Sequence, residues 1–572
     1  MNNSEYLSPT GECDLIMAGG ITSGVVYPLA ALRLAGRYRF RCIGGTSAGA
    51  IAAAATAAAE LGRTNGGFVR LKEVPKELAG CLSSLFQPVR PFCGAYSVFI
   101  ACLGNRSIVL KVAHVATLLV WHFFLSILIG VSPTLIYLFR TTGPHRGFWE
   151  WAAISAAGAL GVAFALLIRF LWLLAIALPR KDFGVCSGMR PPRSTKPALT
   201  EWISDLLDRL AGIEKRGTPL MFGDLDDANI QLKMMTTNVS ARRPYSLPFA
   251  THKNPVHENR YAFSVEEWKE FFPAHVMDWL VKGDVSIDVP GHAGHRFLPE
   301  TERLPIVVAV RMSLSFPFLL SAVPLYRRDP LYTNAADQRK LRRCVFSDGG
   351  ISSNFPIQFF DTLLPTRPTF AIALEKYSPL RFGGDDPQNR VYMPQHTESG
   401  SLLPIDSVTS LPGFIVAIID SARLWQDNLQ KVLSGYRERI AHIALTDFEG
   451  GLNLNMEEKV IERLSNLGEI AGDRMLDFDM PEHQWHRFLV AYARLEESCE
   501  HMNDAYSHGF RDFLNSYPPN TVSYRPDPQW LTQARDRLGD VLGLTAPWQS
   551  KPLRTSGHIP KPDTDLRITP KP

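Results

Sequence analysis

A serine on a glycine-flanked turn is the residue of this chain best suited to carry chemistry. It is the centre of a Gly-x-Ser-x-Gly pattern, Gly45-Thr46-Ser47-Ala48-Gly49. An apolar, strand-like run precedes the pattern, and an alanine-rich, helix-like run follows it. A strand-to-helix turn this sharp leaves no room for side chains beside the serine, and it lifts the hydroxyl toward a helix N-terminus that favours negative charge. The pattern predicts a serine nucleophile.

A glycine-rich loop lies upstream of this serine. Residues 14–18 are predicted to form a buried strand, and Gly19-Gly20-Ile21-Thr22-Ser23-Gly24 follows before a predicted helix from Val25. Such a loop suits phosphate binding, an oxyanion hole for acyl transfer, or a plain tight turn. A dinucleotide site needs an acidic residue at the end of the second strand, where this chain has Ser47. The oxyanion hole is therefore the favoured interpretation.

An aspartate far downstream is the candidate partner of the serine. Residues 344–347 are predicted to form a short strand, which leads into Asp348-Gly349-Gly350. A carboxylate at a strand end can accept the proton of a serine hydroxyl. An ordinary Asp-Gly turn has the same local sequence, so Asp348 alone does not define a site.

Taken together, the three motifs resemble those of the patatin-like phospholipases, a family of serine lipid acyl hydrolases. The resemblance extends to residues 311–318, and to Asn354 and Pro356 after the aspartate, and it covers residues 14–374 with one large insertion. It implies a catalytic dyad of Ser47 and Asp348, with no metal and no cofactor.

The resemblance also implies roles for the glycines. The oxyanion hole would be formed by the N–H groups of Gly19, Gly20 and Ile21. The remaining motif positions are glycines that shape the three turns: Gly24, Gly45, Gly49, Gly349 and Gly350. This chain departs from the family pattern at two loop positions, because Ile21 replaces a third glycine and Ser23 replaces a basic residue.

The fold implied by the resemblance is α/β: a patatin-like three-layer α/β/α fold with a mostly parallel central sheet, interrupted by a two-helix transmembrane insertion and followed by C-terminal helices. An α/β-hydrolase triad is the competing arrangement. Its elbow follows several strands, and it needs a histidine after the acid. Only two strands are predicted before Ser47, and no histidine after Asp348 lies in a glycine-rich loop at a strand end. The dyad is therefore favoured.

Two long apolar segments predict a transmembrane hairpin. Residues 112–139 and 151–178 each exceed the about 20 residues that span a bilayer, and a short polar connection joins them. Since Ser47 precedes the hairpin and Asp348 follows it, both flanks must lie on one side of the membrane. Four basic residues flank the outer ends and two lie in or beside the turn. This bias predicts a multi-pass membrane protein of two spans with a cytoplasmic catalytic domain.

Composition bounds the remaining partners and the domain organisation. A net charge of +4 and eight cysteines without CxxC pairs favour neither nucleic-acid binding nor a zinc site. The expected partners are a phospholipid or other acyl-lipid substrate and the bilayer.

The chain is predicted to divide into five parts. They are the N-terminal part of the catalytic domain (1–104), the transmembrane hairpin (105–182), the remainder of the catalytic domain (183–393), a helical C-terminal region (394–549) and a disordered tail (550–572).

These inferences predict a membrane-anchored serine lipid acyl hydrolase, similar to phospholipase A or lysophospholipase. Two other interpretations stay open. One is a membrane protein that binds lipid with little or no catalysis, which the altered glycine loop favours. The other is a bacterial defence effector that damages membranes.

Overall fold

The computed structural model describes most of the chain. The described residues are 3–20, 22–103, 108–141, 147–249, 260–282, 289, 291–329, 331–332, 334, 340–382, 384, 386–394, 403, 405, 407–446, 448–451, 453–516 and 527–555. Ile21, residues 142–146 of the predicted hairpin connection (140–147) and most of the predicted C-terminal tail lie outside them.

Strands form the centre of the structure. Within the described ranges they are β1 (Gly11–Met17), β2 (Tyr38–Thr46), β3 (Gly184–Cys186), β4 (Gln231–Asn238), β5 (Arg243–Leu247), β6 (Ala262–Ser264), β7 (His295–Phe297), β8 (Phe318–Leu320), β9 (Val323–Arg328), β10 (Leu341–Asp348), β11 (Thr369–Lys376), β12 (Val391–Tyr392) and β13 (Ile440–Leu445).

Helices connect and cover the strands. The described α-helices are α1 (Ser4–Leu7), α2 (Tyr27–Arg37), α3 (Ala48–Leu61), α4 (Gly67–Leu85), α5 (Cys93–Leu103), α6 (Ile108–Arg140), α7 (Phe148–Trp172), α8 (Leu199–Ala211), α9 (Phe222–Asp227), α10 (Val265–Trp268), α11 (Ala274–Val281), α12 (Ile306–Ser313), α13 (Pro379–Phe382), α14 (Leu411–Val432), α15 (Glu458–Leu476), α16 (Met480–Ala505), α17 (Arg511–Ser516) and α18 (Pro528–Thr545).

The central sheet is mixed, so the prediction of a mostly parallel patatin-like three-layer fold is wrong. Eleven strands form it in the order β12-β13-β11-β1-β2-β4-β10-β9-β6-β7, with β5 also paired to β4. Four of its described pairings are parallel and six are antiparallel. The early strands are parallel because helices connect them. The antiparallel pairs include β4–β5 and β9–β10, whose strands are consecutive in the chain.

The two faces of the sheet are covered differently, which also departs from the predicted layers. Alternate residues of each strand point to opposite faces. On β1, Leu15 and Met17 join the main core with α2, α3 and α15. Ile16 joins a smaller cluster on the other face, where the segment around Phe355 and Phe360 packs. That segment is irregular apart from one 3₁₀ turn, Ile357–Phe359, rather than a layer of long helices.

The elements predicted around the serine are present. The strand expected at 14–18 is β1, and the strand before the serine is β2, which pairs in parallel with β1. The strand expected at 344–347 is the end of the longer β10. One 3₁₀ turn, Ser23–Val26, precedes the first long helix. The carboxyl ends of β1 and β2 therefore meet at one edge of the sheet, where both glycine motifs begin.

Two helices are long and apolar enough to cross a membrane. They are Ala113–Arg140 and Phe148–Ala177, and only 6% of the most apolar window of each is buried in the protein. The two helices approach closely at Gly130 and Gly161: a Cβ on Gly161 would lie 2.2 Å from the Gly130 carbonyl oxygen. Small residues at such contacts let helix backbones pack tightly. Arg169 stacks its guanidinium 4.4 Å from the centre of the Trp172 ring on the same helix.

The C-terminal region contributes to the sheet and is not only helical. β13 pairs in parallel with β11. Helix α14 leaves much of its apolar side in contact with solvent, since Phe414, Ile415 and Ile419 are each about half exposed. The apolar stripe of α14 is therefore only partly covered by the rest of the protein. The apolar residues of α15, by contrast, enter the main core.

Candidate active site

The serine occupies a strained turn between β2 and α3. Ser47 has φ 56° and ψ −128°, a backbone conformation that non-glycine residues rarely adopt and that clusters at functional sites. The flanking glycines make the turn possible. A Cβ on Gly45 would lie 2.2 Å from the Gly49 carbonyl oxygen, and one on Gly49 would lie 2.3 Å from the Met17 carbonyl oxygen. The local geometry is that of a nucleophile elbow.

The structure brings Asp348 to this serine. Asp348 ends β10, and both side chains are buried, with 2% of Ser47 and 3% of Asp348 exposed. Burial raises the pKa of Asp348 to about 6. The Ser47 side chain, the Gly350 N–H and the Arg423 charge each act in the opposite direction. A carboxyl group with a pKa near 6 is well matched to general base work at neutral pH.

The two oxygens of Asp348 are held differently. Oδ1 accepts a hydrogen bond of 2.7 Å from the Gly350 N–H. Oδ2 makes no hydrogen bond of regular geometry within the described part of the chain, although the Ser47 hydroxyl is close enough to lower the pKa of the carboxyl group. Catalytic hydrogen bonds are often long or misaligned before substrate binds. Oδ2 is therefore the oxygen available to the serine proton.

Residues 311–317 form hydrogen bonds that hold the serine and the aspartate in position relative to each other. Ser313 Oγ accepts a 3.2 Å hydrogen bond from the Ser47 N–H and donates one of 2.6 Å to the Met235 carbonyl. The Asp348 N–H donates to the Ser315 carbonyl at 3.0 Å. The buried Arg311 donates to Ser315 Oγ at 2.7 Å. In the sequence this segment shows only the family resemblance, whereas in the structure its two serines bond to the backbone of Ser47 and Asp348.

The first residue of the glycine loop is hydrogen-bonded to the segment that follows Asp348. The Gly19 N–H donates to the Asn354 carbonyl at 3.0 Å, and Asn354 Nδ2 donates back to the Gly19 carbonyl at 3.1 Å. Gly19 must be glycine here, because a Cβ would lie 2.1 Å from Asn354 Oδ1 and 3.0 Å from Ser47 Cβ. Its N–H is thus occupied. The Gly20 N–H has no acceptor among the described residues, and Ile21 lies outside them.

The other motif glycines mark close approaches. A Cβ on Gly24 would lie 3.2 Å from Ala48 Cβ, and one on Gly349 would lie 2.1 Å from the Met235 carbonyl oxygen. The Ala48 N–H is the first of helix α3 and has no partner within that helix. Near the elbow, the backbone N–H groups without an acceptor among the described residues are therefore those of Gly20 and Ala48, a set that the sequence motif alone does not specify.

An apolar cavity opens beside the serine. Its volume is about 70 Å³, and Thr22, Gly24, Ala48 and Leu314 line the end near the elbow. Apolar side chains of α3, α4 and α8 line the rest. This volume is well below the about 300 Å³ of a typical small-molecule site. A long acyl chain would fit only if these helices moved apart.

Helix α14 is fastened to the turn that follows Asp348. The buried Asp427 accepts hydrogen bonds of 2.8 Å from Ser353 Oγ and 2.7 Å from the Asn354 N–H. Sequence reasoning missed Asp427. The available signal was an acidic residue one turn after Arg423 on an amphipathic helix.

The described residues give no support to two other kinds of site. None of the groups that act on Asp348 is a histidine, as an α/β-hydrolase triad would require. No group of three or more His, Cys, Asp or Glu side chains in the described part of the chain is placed to hold a metal ion.

Comparisons with known proteins find a related chain that aligns over nearly its whole length. No family model matches the sequence. A protein of Rhizobium meliloti (strain 1021) named "RpoH suppressor" is 33% identical over an alignment of 658 residues, which covers 98% of this chain and 99% of the relative. The crystal structure of VipD from Legionella pneumophila aligns with a TM-score of 0.32 and 13% identity, over 96% of this chain and 87% of VipD. A structural similarity this low supports no conclusion about the fold or function of this chain.

Proposed function

This chain belongs to the family of the RpoH suppressor of Rhizobium meliloti, and we propose that it is a membrane-anchored serine lipid acyl hydrolase of the phospholipase A or lysophospholipase type. One observation carries the proposal. A serine in a strained left-handed conformation lies beside a buried aspartate whose pKa is raised to about 6. The resemblance of the motifs to those of patatin-like phospholipases supports the same chemistry.

The reaction uses the two side chains in turn. Ser47 Oγ attacks the acyl carbonyl carbon while Asp348 Oδ2 takes the hydroxyl proton. The oxyanion is stabilised by the Gly20 N–H and the α3 N-terminus; one such donor is typically worth about 10²–10³ in turnover. The tetrahedral intermediate collapses, and the leaving alcohol takes the proton from Asp348. Water then attacks the acyl-serine, gives its proton to Asp348, and the fatty acid leaves as Ser47 regains that proton.

Substrate access follows from the cavity and the hairpin. The apolar cavity that begins at Ala48 and Leu314 receives the first methylenes of the acyl chain. The two membrane-length helices keep the site at a bilayer that supplies the substrate. The catalytic residues lie on the cytoplasmic side, because the basic residues flanking the hairpin outnumber those of its turn.

The test is lipid hydrolysis by the full chain in nanodiscs. Wild type should release free fatty acid and lysolipid, and Ser47→Ala and Asp348→Asn should lose this release. Ser84→Ala is the matched control, since Ser84 only caps its own helix through the Cys81 carbonyl. Equal lipid profiles for wild type and Ser47→Ala would refute hydrolysis. Binding of vesicles without turnover by a folded wild type would favour the lipid-binding interpretation, which the occupied Gly19 N–H also favours.

A further inference from the structure

Arg423 lies on the part of α14 that is tied to the catalytic turn. Asp427, four residues later, bonds Ser353 and Asn354 just after Asp348. Residues four apart share one side of a helix, so Arg423 is on the same side of α14 as the buried Asp427. Its charge reaches the active site, because it is the cation that acts on the Asp348 carboxyl group.

The guanidinium group of Arg423 is only weakly engaged. Its Nη2 is 3.3 Å from Asp420 Oδ1, and both side chains of this pair are about two-fifths exposed or more. Exposed pairs of this kind contribute little. Its Nε is buried and has no hydrogen-bond partner within the described residues. An arginine carries five N–H donors, so most of its capacity to bind an anion is unused.

The glycine loop does not supply a cation itself. Residues 19–24 contain no lysine or arginine, and Ser23 stands before Gly24. A phospholipid nevertheless carries a phosphate only a few bonds from its acyl ester. An anion of that kind, bound with its ester carbonyl at Ser47, needs a positive partner close to the nucleophile. Arginine is suited to this role because its planar group binds phosphate in a bidentate manner.

We propose that Arg423 binds the phosphate of a phospholipid substrate beside Ser47 and Asp348 and so determines specificity for phospholipids over neutral acylglycerols. The inference rests on the proposed hydrolase function and deepens it. A helix from the C-terminal region then supplies the headgroup contact, and Asp427 keeps that helix in place.

The test compares two substrates with the same acyl chains in neutral detergent micelles, phosphatidylcholine and diacylglycerol. The readout is the ratio of their kcat/KM values. Arg423→Gln should lower this ratio about 10- to 100-fold, as expected for loss of a charge-assisted hydrogen bond. Arg423→Lys should lower it less. Arg33→Gln is the matched control, because it removes one positive charge from an exposed pair with Asp473, and it should leave the ratio unchanged.

A pH profile and the unfolding temperature complete the experiment. Without the Arg423 charge the pKa of Asp348 rises, so the acidic limb of kcat/KM should move to higher pH for both substrates. An unchanged ratio in folded Arg423→Gln would overturn the assignment while leaving the hydrolase intact. An equal loss on both substrates would also overturn it, because Arg423 would then act only through Asp348. A wild type inactive on both would overturn the proposed function and the assignment together.

Discussion

At the scale of single residues, the site depends on a carboxyl group that is kept from water. Asp348 is 3% exposed, and its burial raises its pKa from the ordinary aspartate range to about 6. Its folded form therefore holds a proton more tightly than its unfolded form. Ionisation of this group favours the unfolded chain, so its contribution to stability is most favourable below the unfolded pKa and is lost as the pH rises to about 6.

Asp348→Asn should consequently stabilise the fold in a pH-dependent manner. At pH 7.5 the variant should be more stable than wild type by up to about 3 kcal/mol, since each unit of pKa shift corresponds to about 1.4 kcal/mol. Near pH 3.5 the difference should disappear. Chemical denaturation at both pH values measures this. A variant less stable than wild type at pH 7.5 would show that hydrogen bonds and nearby charges in the folded protein offset the cost of burying the Asp348 carboxylate.

The sequence identifies some of these residues and not others. Ser47 and Asp348 could be predicted because a nucleophile elbow and a strand-end aspartate each leave a local glycine signature. Ser313, Asn354 and Asp427 could not be given roles, because their partners lie far away along the chain and their own neighbours are unremarkable. The same limit applies to Gly19, whose N–H is occupied by the carbonyl of a residue 335 positions later.

At the scale of elements, the close approach of α3 to the end of β1 fixes the elbow. Gly49, in the first turn of α3, faces the Met17 and Ala18 carbonyl oxygens, which a Cβ would approach to 2.3 and 2.5 Å. Both are backbone atoms at the junction between β1 and the glycine loop. A side chain at this position would therefore push the Ser47 turn away from the glycine loop.

Gly49→Ala should be destabilising, and a second glycine provides the control. We expect a loss of about 1–3 kcal/mol or more from overpacking, together with loss of hydrolysis. Gly80→Ala lies inside helix α4 with nothing within 4 Å of the new Cβ, so it should stabilise by about 0.5–1 kcal/mol. Thermal unfolding of both variants checks this. A neutral Gly49→Ala would mean that α3 and β1 are less tightly packed than described.

The strands near the serine were predictable, and the direction of the later strands was not. β1 and β2 are apolar runs joined by a helical pattern, which implies parallel pairing. β9 and β10 pair antiparallel, with Cys344 opposite Leu325, but the residues between them give no tight hairpin signature. Strands as short as β6 and β7 have too few residues to show the alternation of apolar and polar side chains that identifies a strand in a sequence. The sequence therefore predicted a larger share of parallel strand pairings than the structure has.

At the scale of the whole molecule, the two membrane-length helices constrain where Ser47 and Asp348 lie. Ser47 precedes the two membrane-length helices and Asp348 follows them, and the fold brings the two residues together. Both flanks must then be on one side of any membrane that these helices cross. The helices themselves were predictable from length and apolarity, whereas their contact at Gly130 and Gly161 needed the structure.

Cysteine labelling should reveal this topology. Cys102 is exposed near the end of α5, before the hairpin, and Gly147 immediately precedes α7, at the opposite end of the hairpin. A membrane-impermeant maleimide should label Gly147→Cys in intact cells, whereas Cys102 should react only after lysis. Wild type is the control for the native cysteines. Labelling of Cys102 in intact cells would contradict a cytoplasmic catalytic domain.

The most direct measurement asks whether Ser47 is a nucleophile at all. A fluorophosphonate probe should label the purified full chain at Ser47, identified by mass spectrometry of the modified peptide. Asp348→Asn should be labelled much more slowly because no base takes the serine proton, and Ser47→Ala should not be labelled. Absence of labelling in a folded wild type, or equal labelling of wild type and Ser47→Ala, would contradict the account.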